Sequence, residues 1–379
     1  MATHVDAPVA IVGGGVVGAA VAHALARRGV ESILLEAEDE LALGASGTNS
    51  GILHTAFDSG PDELETRLIL RSAALRDAWL EAAGIPVLRC GATVRARNGD
   101  EAATVRALAD LARANGVETA LHDGTLEVPG EAVTDPVAYT LALAATSGAE
   151  VRVRARVESI AREPGRLALA LAGGGAVACR VAVNCAGLFA DAVARMGGDD
   201  SFGVFPRKGE FFVFDPPGGR PLDRVLLPVP TKRTKGVLVF PTVDGRVVAG
   251  PTAHDQEDKA DWTVRAEAEA EVLGKARAML PELEGLAPVA RYAGLRPAGR
   301  DGANYVIGPS AACPGLVNVA AIRSTGLSAS LGIGEHVAGI LAGLGIELGP
   351  ERELPAVGAP RSEVPWWRRA ALYRSGAAA

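Results

Sequence analysis

The sequence is poor in cysteine, and its cysteines are not arranged as a ligand or redox set. Only Cys90, Cys179, Cys185 and Cys313 occur in 379 residues. No two of them form a C-x-x-C pair, and no histidine stands beside them at metal-ligand spacing. We therefore expect neither a disulfide framework nor a metal site. This cysteine usage favours a reducing cytoplasm as the location.

The chain also lacks an excess of basic residues. It carries 38 Lys and Arg against 45 Asp and Glu, a formal net charge of −7. Nucleic-acid binders neutralise phosphates with clustered Lys and Arg, so nucleic acid is not expected as a partner. With 48% hydrophobic residues, the chain is long enough for a sizeable core in two domains, or in one domain split by an insertion.

Long uncharged runs are scarce, and the one at residues 7–26 raises a transmembrane or signal-peptide interpretation. Two features oppose it: no Lys or Arg precedes the run, and the triplet Gly13-Gly14-Gly15 interrupts it. We expect instead a buried strand over residues 9–12 and a helix over residues 16–28.

A dinucleotide-binding fingerprint lies between this strand and this helix. Gly13, Gly15 and Gly18 form G-x-G-x-x-G. The first glycine permits a tight turn, the second admits a pyrophosphate, and the third allows close helix–strand packing. The helix N-terminus supplies free N–H groups and partial positive charge for phosphates. Glu36 ends the next predicted strand, where a carboxylate accepts hydrogen bonds from a ribose diol.

Further motifs resemble those of one enzyme family. They are "GASGTNSGILH" at 44–54, "NCAGLFAD" at 184–191, "PRKGEFFVFD" at 206–215 with "VFPTVDGRVVAGPTA" at 239–253, and "YAGLRPAGRDGANYVIGP" at 292–309 with "VNVAAIRSTGLSAS" at 317–330. With the fingerprint, they resemble the FAD-dependent oxidoreductases of the D-amino-acid-oxidase and glycerol-3-phosphate-dehydrogenase superfamily. Within it, the chain looks most similar to glycerol-3-phosphate and L-2-hydroxyglutarate dehydrogenases. The fingerprint leaves FAD and NAD open, whereas the resemblance implies FAD.

The predicted fold class is α/β, or α+β overall, with a Rossmann-like FAD-binding domain interrupted by an antiparallel-sheet substrate domain. Strand-and-helix patterns occupy both ends of the chain, and residues 202–297 are rich in strands. We assign residues 1–84, 134–201 and 300–349 to the FAD-binding domain, 85–133 and 202–299 to the substrate domain, and 350–379 to a C-terminal tail.

The resemblance also implies which residues contact FAD. Glycines and small polar residues within 44–51 would wrap the pyrophosphate and the flavin edge, and residues 324–326 would begin a helix whose positive end faces the flavin. No His or Cys lies between Gly44 and Ile52, so non-covalent FAD is expected. The predicted cofactor-binding residues are Gly13, Gly15, Val17, Gly18, Glu36, Ala45, Ser46, Asn49, Ser50, Ala186, Gly187, Ser324, Thr325, Gly326 and Leu327.

Oxidation of a carbon that bears a hydroxyl group needs a base for the hydroxyl proton as well as a hydride acceptor. His54 follows the flavin-wrapping segment and resembles the family's His near the flavin, so we predict that it is the base; a structural or FAD-orienting role is the alternative. Arg296 and Arg323 lie in motifs that resemble the family's active-site edge, and we count them with His54 as catalytic. His254, the second choice as base, and Lys208 are predicted to bind an anionic substrate.

The expected function is an FAD-dependent dehydrogenase or oxidase. It would transfer a hydride from a small anionic hydroxy compound, a 2-hydroxy acid such as L-2-hydroxyglutarate or glycerol 3-phosphate, to flavin N5, and pass electrons to a quinone, a partner protein or O2. Two alternatives stay open: an amine or amino-acid oxidase of the glycine or sarcosine type, and a catalytically silent flavin-binding subunit.

Two basic segments remain outside this assignment. The tail ends in Trp366-Trp367-Arg368-Arg369. One possibility is that the tail docks on a partner or on the inner face of a membrane. The other, which we favour, is that it forms a helix that packs its tryptophans on its own protein. The loop with Lys232, Arg233 and Lys235 is interpreted as solvated.

Overall fold

The structure is a computed structural model that describes residues 6–231, 236–355, 357–358 and 364–375. The predicted basic loop, Lys232 to Lys235, lies outside these ranges. Within them, the strands form an eight-stranded sheet, a nine-stranded sheet and a three-stranded sheet.

The strands, in chain order, are β1 (Ala7–Val12), β2 (Ser32–Leu35), β3 (Ile52–Leu53), β4 (Val87–Leu88), β5 (Ala92–Arg95), β6 (Ala120–His122), β7 (Thr125–Val128), β8 (Ala132–Thr134), β9 (Glu150–Arg152), β10 (Val157–Glu163), β11 (Arg166–Leu171), β12 (Ala176–Asn184), β13 (Val204–Phe214), β14 (Val225–Leu227), β15 (Leu238–Pro241), β16 (Val247–Gly250), β17 (His254–Asp255), β18 (Ala290–Gly299), β19 (Val306–Pro309) and β20 (Leu316–Ala320).

The helices are α1 (Val16–Arg27), α2 (Leu64–Ala82), α3 (Gly99–Ala114), α4 (Pro136–Ser147), α5 (Ala190–Met196), α6 (Ala268–Met279), α7 (Gly326–Gly343) and α8 (Trp366–Arg374). The predicted strand and helix that flank the glycine fingerprint are confirmed as β1 and α1. The uncharged run at 7–26 is therefore a strand, a turn and most of a helix. In the described part of the chain, no helix combines the length and the apolar character needed to cross a bilayer.

The eight-stranded sheet brings several strand ends to one edge. Strands β9, β2, β1, β12 and β20 lie side by side and run parallel. Helices α1, α4 and α7 pack together on one another, and residues 9–11 of β1 are fully buried, as expected for a parallel strand covered on both faces. Because parallel strands end at the same edge, the turns after β1, β2, β12 and β20 meet there.

The nine-stranded sheet supplies the opposite wall. Its order is β17-β13-β16-β15-β14-β5-β7-β6, with β18 paired to β13. The long antiparallel pair of β13 and β18 aligns Arg207 with Arg296 and Gly209 with Gly294. Side chains alternate between the two faces of a strand. Residues 212 and 214 of β13 therefore lie on the face opposite to Arg207 and Gly209, where they pack with α6.

The predicted mixed architecture is confirmed in its main elements. Strands of the parallel sheet come from residues 7–35, 150–184 and 306–320, and strands of the nine-stranded sheet come from residues 92–128 and 204–299. These ranges lie within the two domains predicted from the sequence. The exact domain boundaries remain a prediction. Strand β18 had no separate prediction, because its Gly- and Pro-containing sequence lacks a clear period of two.

The C-terminal tail forms a helix that packs on its own protein, as favoured from the sequence. Trp366 and Trp367 are buried at 1% and 5% exposure in a core that includes Phe211 and Tyr292. The tryptophans therefore do not form an exposed membrane contact, and that part of the expectation is corrected. Apolar rings are more stable against an apolar core than in water, which explains why the pair turns inward.

A buried histidine in α1 generates a prediction about pH. His23 lies against Trp79, and its Nδ1 is 2.8 Å from Thr146 Oγ1. Burial, with a smaller effect of Arg27, lowers the pKa of His23 to about 4. Between about pH 6.5 and pH 4, His23 is therefore protonated in the unfolded chain but stays neutral in the native protein. The native protein loses stability as the pH falls through this window.

The variant His23→Asn keeps a donor for Thr146 and cannot be protonated. Between pH 7.5 and pH 5, we expect the wild type to lose about 2 kcal/mol more unfolding free energy than this variant. Urea unfolding of both proteins at the two pH values measures the difference. Equal losses would contradict a neutral, buried His23.

Candidate active site

A large cavity opens where the edge of the parallel strands meets the nine-stranded sheet. Its volume is about 1440 Å³, and its lining comes from both sheets. Sites for one small molecule usually span about 300–1,000 Å³. The cavity therefore has room for a large cofactor together with a substrate.

Glycines form the floor of this cavity at the N-terminus of α1. Gly13 has a φ of +113°, and a Cβ on it would lie 2.4 Å from the carbonyl oxygen of Cys185. A Cβ on Gly18 would lie 2.0 Å from the carbonyl oxygen of Gly13. Neither position admits a larger side chain, so the backbone stays exposed to the cavity and α1 stays close to β1.

Polar groups surround the same helix end. The N–H of Gly14 donates to Glu36 Oε2 at 2.7 Å, and the N–H of Val16 donates to Ser46 Oγ at 2.9 Å. The segment after β2 is thereby tied to the helix N-terminus, where partial positive charge favours phosphate groups.

Thirteen of the fifteen predicted cofactor residues line the cavity: Gly13, Gly15, Val17, Glu36, Ala45, Ser46, Asn49, Ser50, Ala186, Gly187, Ser324, Gly326 and Leu327. Gly18 and Thr325 do not. Gly18 serves the packing of α1 on β1, and the Thr325 hydroxyl donates to Glu65 Oε1 at 2.7 Å and pairs with Tyr305 Oη at 2.8 Å.

His54 lines the cavity and is held by a buried carboxylate. Its Nδ1 lies 2.8 Å from Glu131 Oε2, and Glu131 is fully buried. The pairing of Leu53 with Ala132, between β3 and β8, places the two residues opposite each other. Because an ionised carboxylate can only accept, Nδ1 donates this hydrogen bond, and in the neutral ring the lone pair then lies on Nε2. The ring is therefore oriented as a proton acceptor.

The backbone around His54 is fixed as firmly as its ring. The N–H of His54 donates to Ser328 Oγ at 2.8 Å, and the carbonyl oxygen of His54 accepts from Arg76 Nη1 at 3.2 Å. Thr55 donates to Glu131 Oε1 through its N–H at 2.7 Å and its hydroxyl at 2.9 Å. Glu131 thus holds both the ring and the next residue, which limits the movement of the imidazole.

Arg296 presents a positive charge to the cavity, and no carboxylate of the described residues forms an ion pair with it. Its guanidinium donates to the carbonyl oxygens of Arg207 at 3.1 Å, Lys208 at 3.1 Å and Thr252 at 2.7 Å. Burial, with a smaller effect of Arg207, lowers the pKa of Arg296 to about 10, so it stays charged at neutral pH. Fixed and charged, it suits the carboxylate or phosphate of a ligand.

Arg323 also lines the cavity but is already paired. It has a φ of +54°, and its Nη2 donates to Glu65 Oε2 at 2.6 Å. Burial alone would raise the pKa of Glu65, but hydrogen bonds from Asn304 and Thr325 and the charge of Arg323 hold it below its usual value. Part of the Arg323 charge is therefore neutralised inside the protein.

Two predicted substrate residues do not line the cavity. Lys208 is 1% exposed and bonds Asp261 Oδ2 at 2.7 Å and the Thr263 carbonyl at 3.1 Å. His254 is exposed, while its neighbours Ala253 and Asp255 line the cavity. Because side chains alternate along a strand, Lys208 and His254 lie on the faces of β13 and β17 that point away from the cavity. We correct both assignments.

Sequence reasoning also missed residues that the fold brings to the site. Glu131 follows a Pro-Gly turn and carries no motif, and only the pairing of β3 with β8 would have identified it. Trp262 and Arg374 both line the cavity, and the Arg374 guanidinium lies 4.9 Å from the centre of the Trp262 ring. Arg374 belongs to α8, which had been assigned to a separate tail.

Comparisons with known proteins agree with this geometry. Residues 8–340 match the model of the family described as FAD dependent oxidoreductase. The chain is 28% identical over 353 residues to a glycerol 3-phosphate dehydrogenase of Caloramator mitchellensis, covering 88% of this chain and 73% of that protein. It is 28% identical over 281 residues to the mitochondrial L-2-hydroxyglutarate dehydrogenase of Mus musculus, covering 64% of this chain and 60% of that protein.

A solved structure shares the fold over nearly the whole chain. It is the dithionite-reduced L-alpha-glycerophosphate oxidase of Mycoplasma pneumoniae with FAD bound, with a TM-score of 0.86 and 24% identity over 94% of this chain and 99% of that one. The predicted fold class and the FAD cofactor are thereby confirmed. The residues present fit FAD, because the helix N-terminus, the glycine floor and Glu36 offer the groups that phosphates and ribose require.

The close packing of α1 on the turn after β1 generates a prediction about cofactor retention. Gly18→Ala places a methyl group against the Gly13 carbonyl, so α1 must move away from the turn. We expect about 1–3 kcal/mol of destabilisation and a clear loss of bound FAD, measured as flavin absorbance per protein after purification. Gly339→Ala in α7 is the control, because nothing lies within 4 Å of its added Cβ. A Gly18→Ala protein with wild-type FAD content and stability would contradict this role.

Proposed function

The chain belongs to the FAD-dependent oxidoreductase family, and on that basis we propose that it oxidises a small anionic hydroxy compound. The substrate class is a 2-hydroxy acid such as L-2-hydroxyglutarate, or glycerol 3-phosphate. Electrons then pass to a quinone, a partner protein or O2. The observation that carries the proposal is the His54–Glu131 pair on the cavity wall.

A histidine in this arrangement suits the oxidation of a hydroxyl group. The hydroxyl proton must leave when the carbon loses a hydride, and a base within hydrogen-bond reach accepts it. In the proposed reaction, Nε2 of His54 takes this proton. Glu131 accepts the hydrogen bond from Nδ1, keeps the ring in the required tautomer and stabilises the positive charge that the imidazole gains.

Bound FAD supplies the acceptor of the hydride from the substrate carbon. The protein's own residues bind and orient the substrate. Arg296, whose guanidinium is held by three carbonyl oxygens, binds the carboxylate or phosphate. Arg323 remains a proposed second contact at the cavity wall, although Glu65 already takes one of its donors.

A substrate panel tests the proposal. The FAD-bound protein is mixed anaerobically with glycerol 3-phosphate, L-2-hydroxyglutarate, glycine and sarcosine, and flavin bleaching is followed. The proposal expects reduction by at least one hydroxy compound. If only the amines bleach the flavin, the amine oxidase alternative replaces it, because a neutral amine loses a hydride without needing His54. If none does, a silent flavin-binding subunit is favoured.

Loss of the base generates a prediction about rate. His54→Ala should keep FAD bound and slow flavin reduction by at least about a hundredfold, as expected for a lost general base. Glu131→Gln should slow it by a smaller factor, because the base remains but its orientation and charge stabilisation weaken. Anaerobic stopped-flow absorbance measures both rates.

His122→Ala is the matched control for these variants. His122 also contacts a carboxylate, Glu127, at 3.2 Å, but it is exposed and does not line the cavity. This variant should reduce at the wild-type rate. Wild-type reduction by His54→Ala would remove His54 from the mechanism.

A further inference from the structure

The C-terminal helix α8 is anchored on the nine-stranded sheet. The ring of Trp366 meets Tyr292 of β18 edge-on, with 5.7 Å between centroids. Trp367 Nε1 donates to the carboxylate of Asp244 at 3.0 Å, and Ser375 Oγ, just after the helix, accepts from the N–H of Ala293 at 3.0 Å. The helix thus covers the outer edge of β18.

Two arginines of α8 reach in the other direction, to the segment that follows β2. Arg369 donates to the carboxylate of Glu40 and, at 3.3 Å, to the carbonyl oxygen of Leu41. Arg374 donates to the carbonyl oxygen of Leu43 at 2.6 Å and to Glu38 Oε1 at 3.1 Å. Both arginine side chains are largely buried, at 9% and 18% exposure, whereas the carboxylates of Glu40 and Glu38 are 50% and 42% exposed.

The segment that they hold, residues 36–46, forms the nucleotide end of the cavity. Glu36, Glu38, Gly44 and Ser46 line the cavity, and Ser46 accepts from the N–H of Val16 at the N-terminus of α1. Apart from a short 3-10 helix that begins at residue 45, the segment has no regular structure of its own. Its position therefore depends on contacts made by other elements.

Arg374 also forms part of the cavity wall. It lines the cavity together with Trp262, whose ring lies 4.9 Å beneath its guanidinium. Its acceptor, the Leu43 carbonyl, immediately precedes Gly44. Arg374 therefore joins the cavity wall to the segment at residues 36–46.

From these contacts we propose that α8 is a working part of the FAD site. Arg369 and Arg374 hold residues 36–46 in the cofactor-binding conformation. A segment that is already ordered loses less conformational entropy when the cofactor binds, so α8 raises FAD affinity. The two arginines are positioning residues for the cofactor and take no part in proton transfer.

The rate of FAD loss from the holoenzyme tests this proposal without any substrate. Free flavin fluoresces more strongly than protein-bound flavin in such sites, so dilution of the holoenzyme gives a rise that reports release. For the double variant Arg369→Ala/Arg374→Ala, we expect release at least about tenfold faster than in the wild type. Arg368→Ala is the control, because this side chain lies on the same helix and is exposed; its release rate should stay within about twofold.

Thermal unfolding of the apoprotein separates a site effect from a folding defect. The expected result is an apo melting temperature close to that of the wild type, together with a smaller rise when FAD is added. If the double change prevents folding, the single Arg374→Ala variant keeps the Arg369 contacts and carries the same expectation with a smaller factor. FAD release at the wild-type rate from the folded variants would overturn the proposal, whatever substrate the enzyme uses.

Discussion

The hydrogen bond between His54 and Glu131 is the interaction on which the proposed chemistry of this cavity depends. It joins a fully buried carboxylate to an imidazole at the cavity wall, and it fixes both the ring's tautomer and its direction. A buried carboxylate is costly unless it is well partnered. Here Thr55 supplies two further donors to the same group. The arrangement therefore holds the imidazole at the cavity wall and leaves the buried carboxylate well partnered.

The two large sheets contribute different parts of the site. The parallel sheet gathers its strand ends and the α1 N-terminus into a surface that suits phosphates and ribose, as open α/β sheets do. The nine-stranded sheet provides a wall from which Arg296 faces the cavity, bonded only to carbonyl oxygens among the contacts described. Helix α8 crosses from one part to the other. In the proposed function, cofactor binding, recognition of the substrate's charge and proton transfer thus rest on separate elements that meet at one cavity.

Local patterns explain which features could be predicted from the sequence. The roles of Gly13 and Glu36 follow from spacing within one strand–turn–helix–strand unit, and His54 follows directly from the segment that wraps the cofactor. Glu131 and Arg374 could not be identified, because their places depend on pairing between distant strands and on the docking of the last helix. Lys208 and His254 were assigned wrongly because a motif does not reveal which face of a strand each residue occupies.

The position of the bound substrate tests the central claim most directly. It is measured in crystals of the FAD-bound protein held in the reduced state, in which a substrate that bleaches the flavin cannot be turned over. The account predicts the substrate hydroxyl oxygen about 2.6–3.2 Å from His54 Nε2, with the acidic group of the substrate on Arg296. A hydroxyl group directed away from His54, with its proton facing another side chain, would contradict the account.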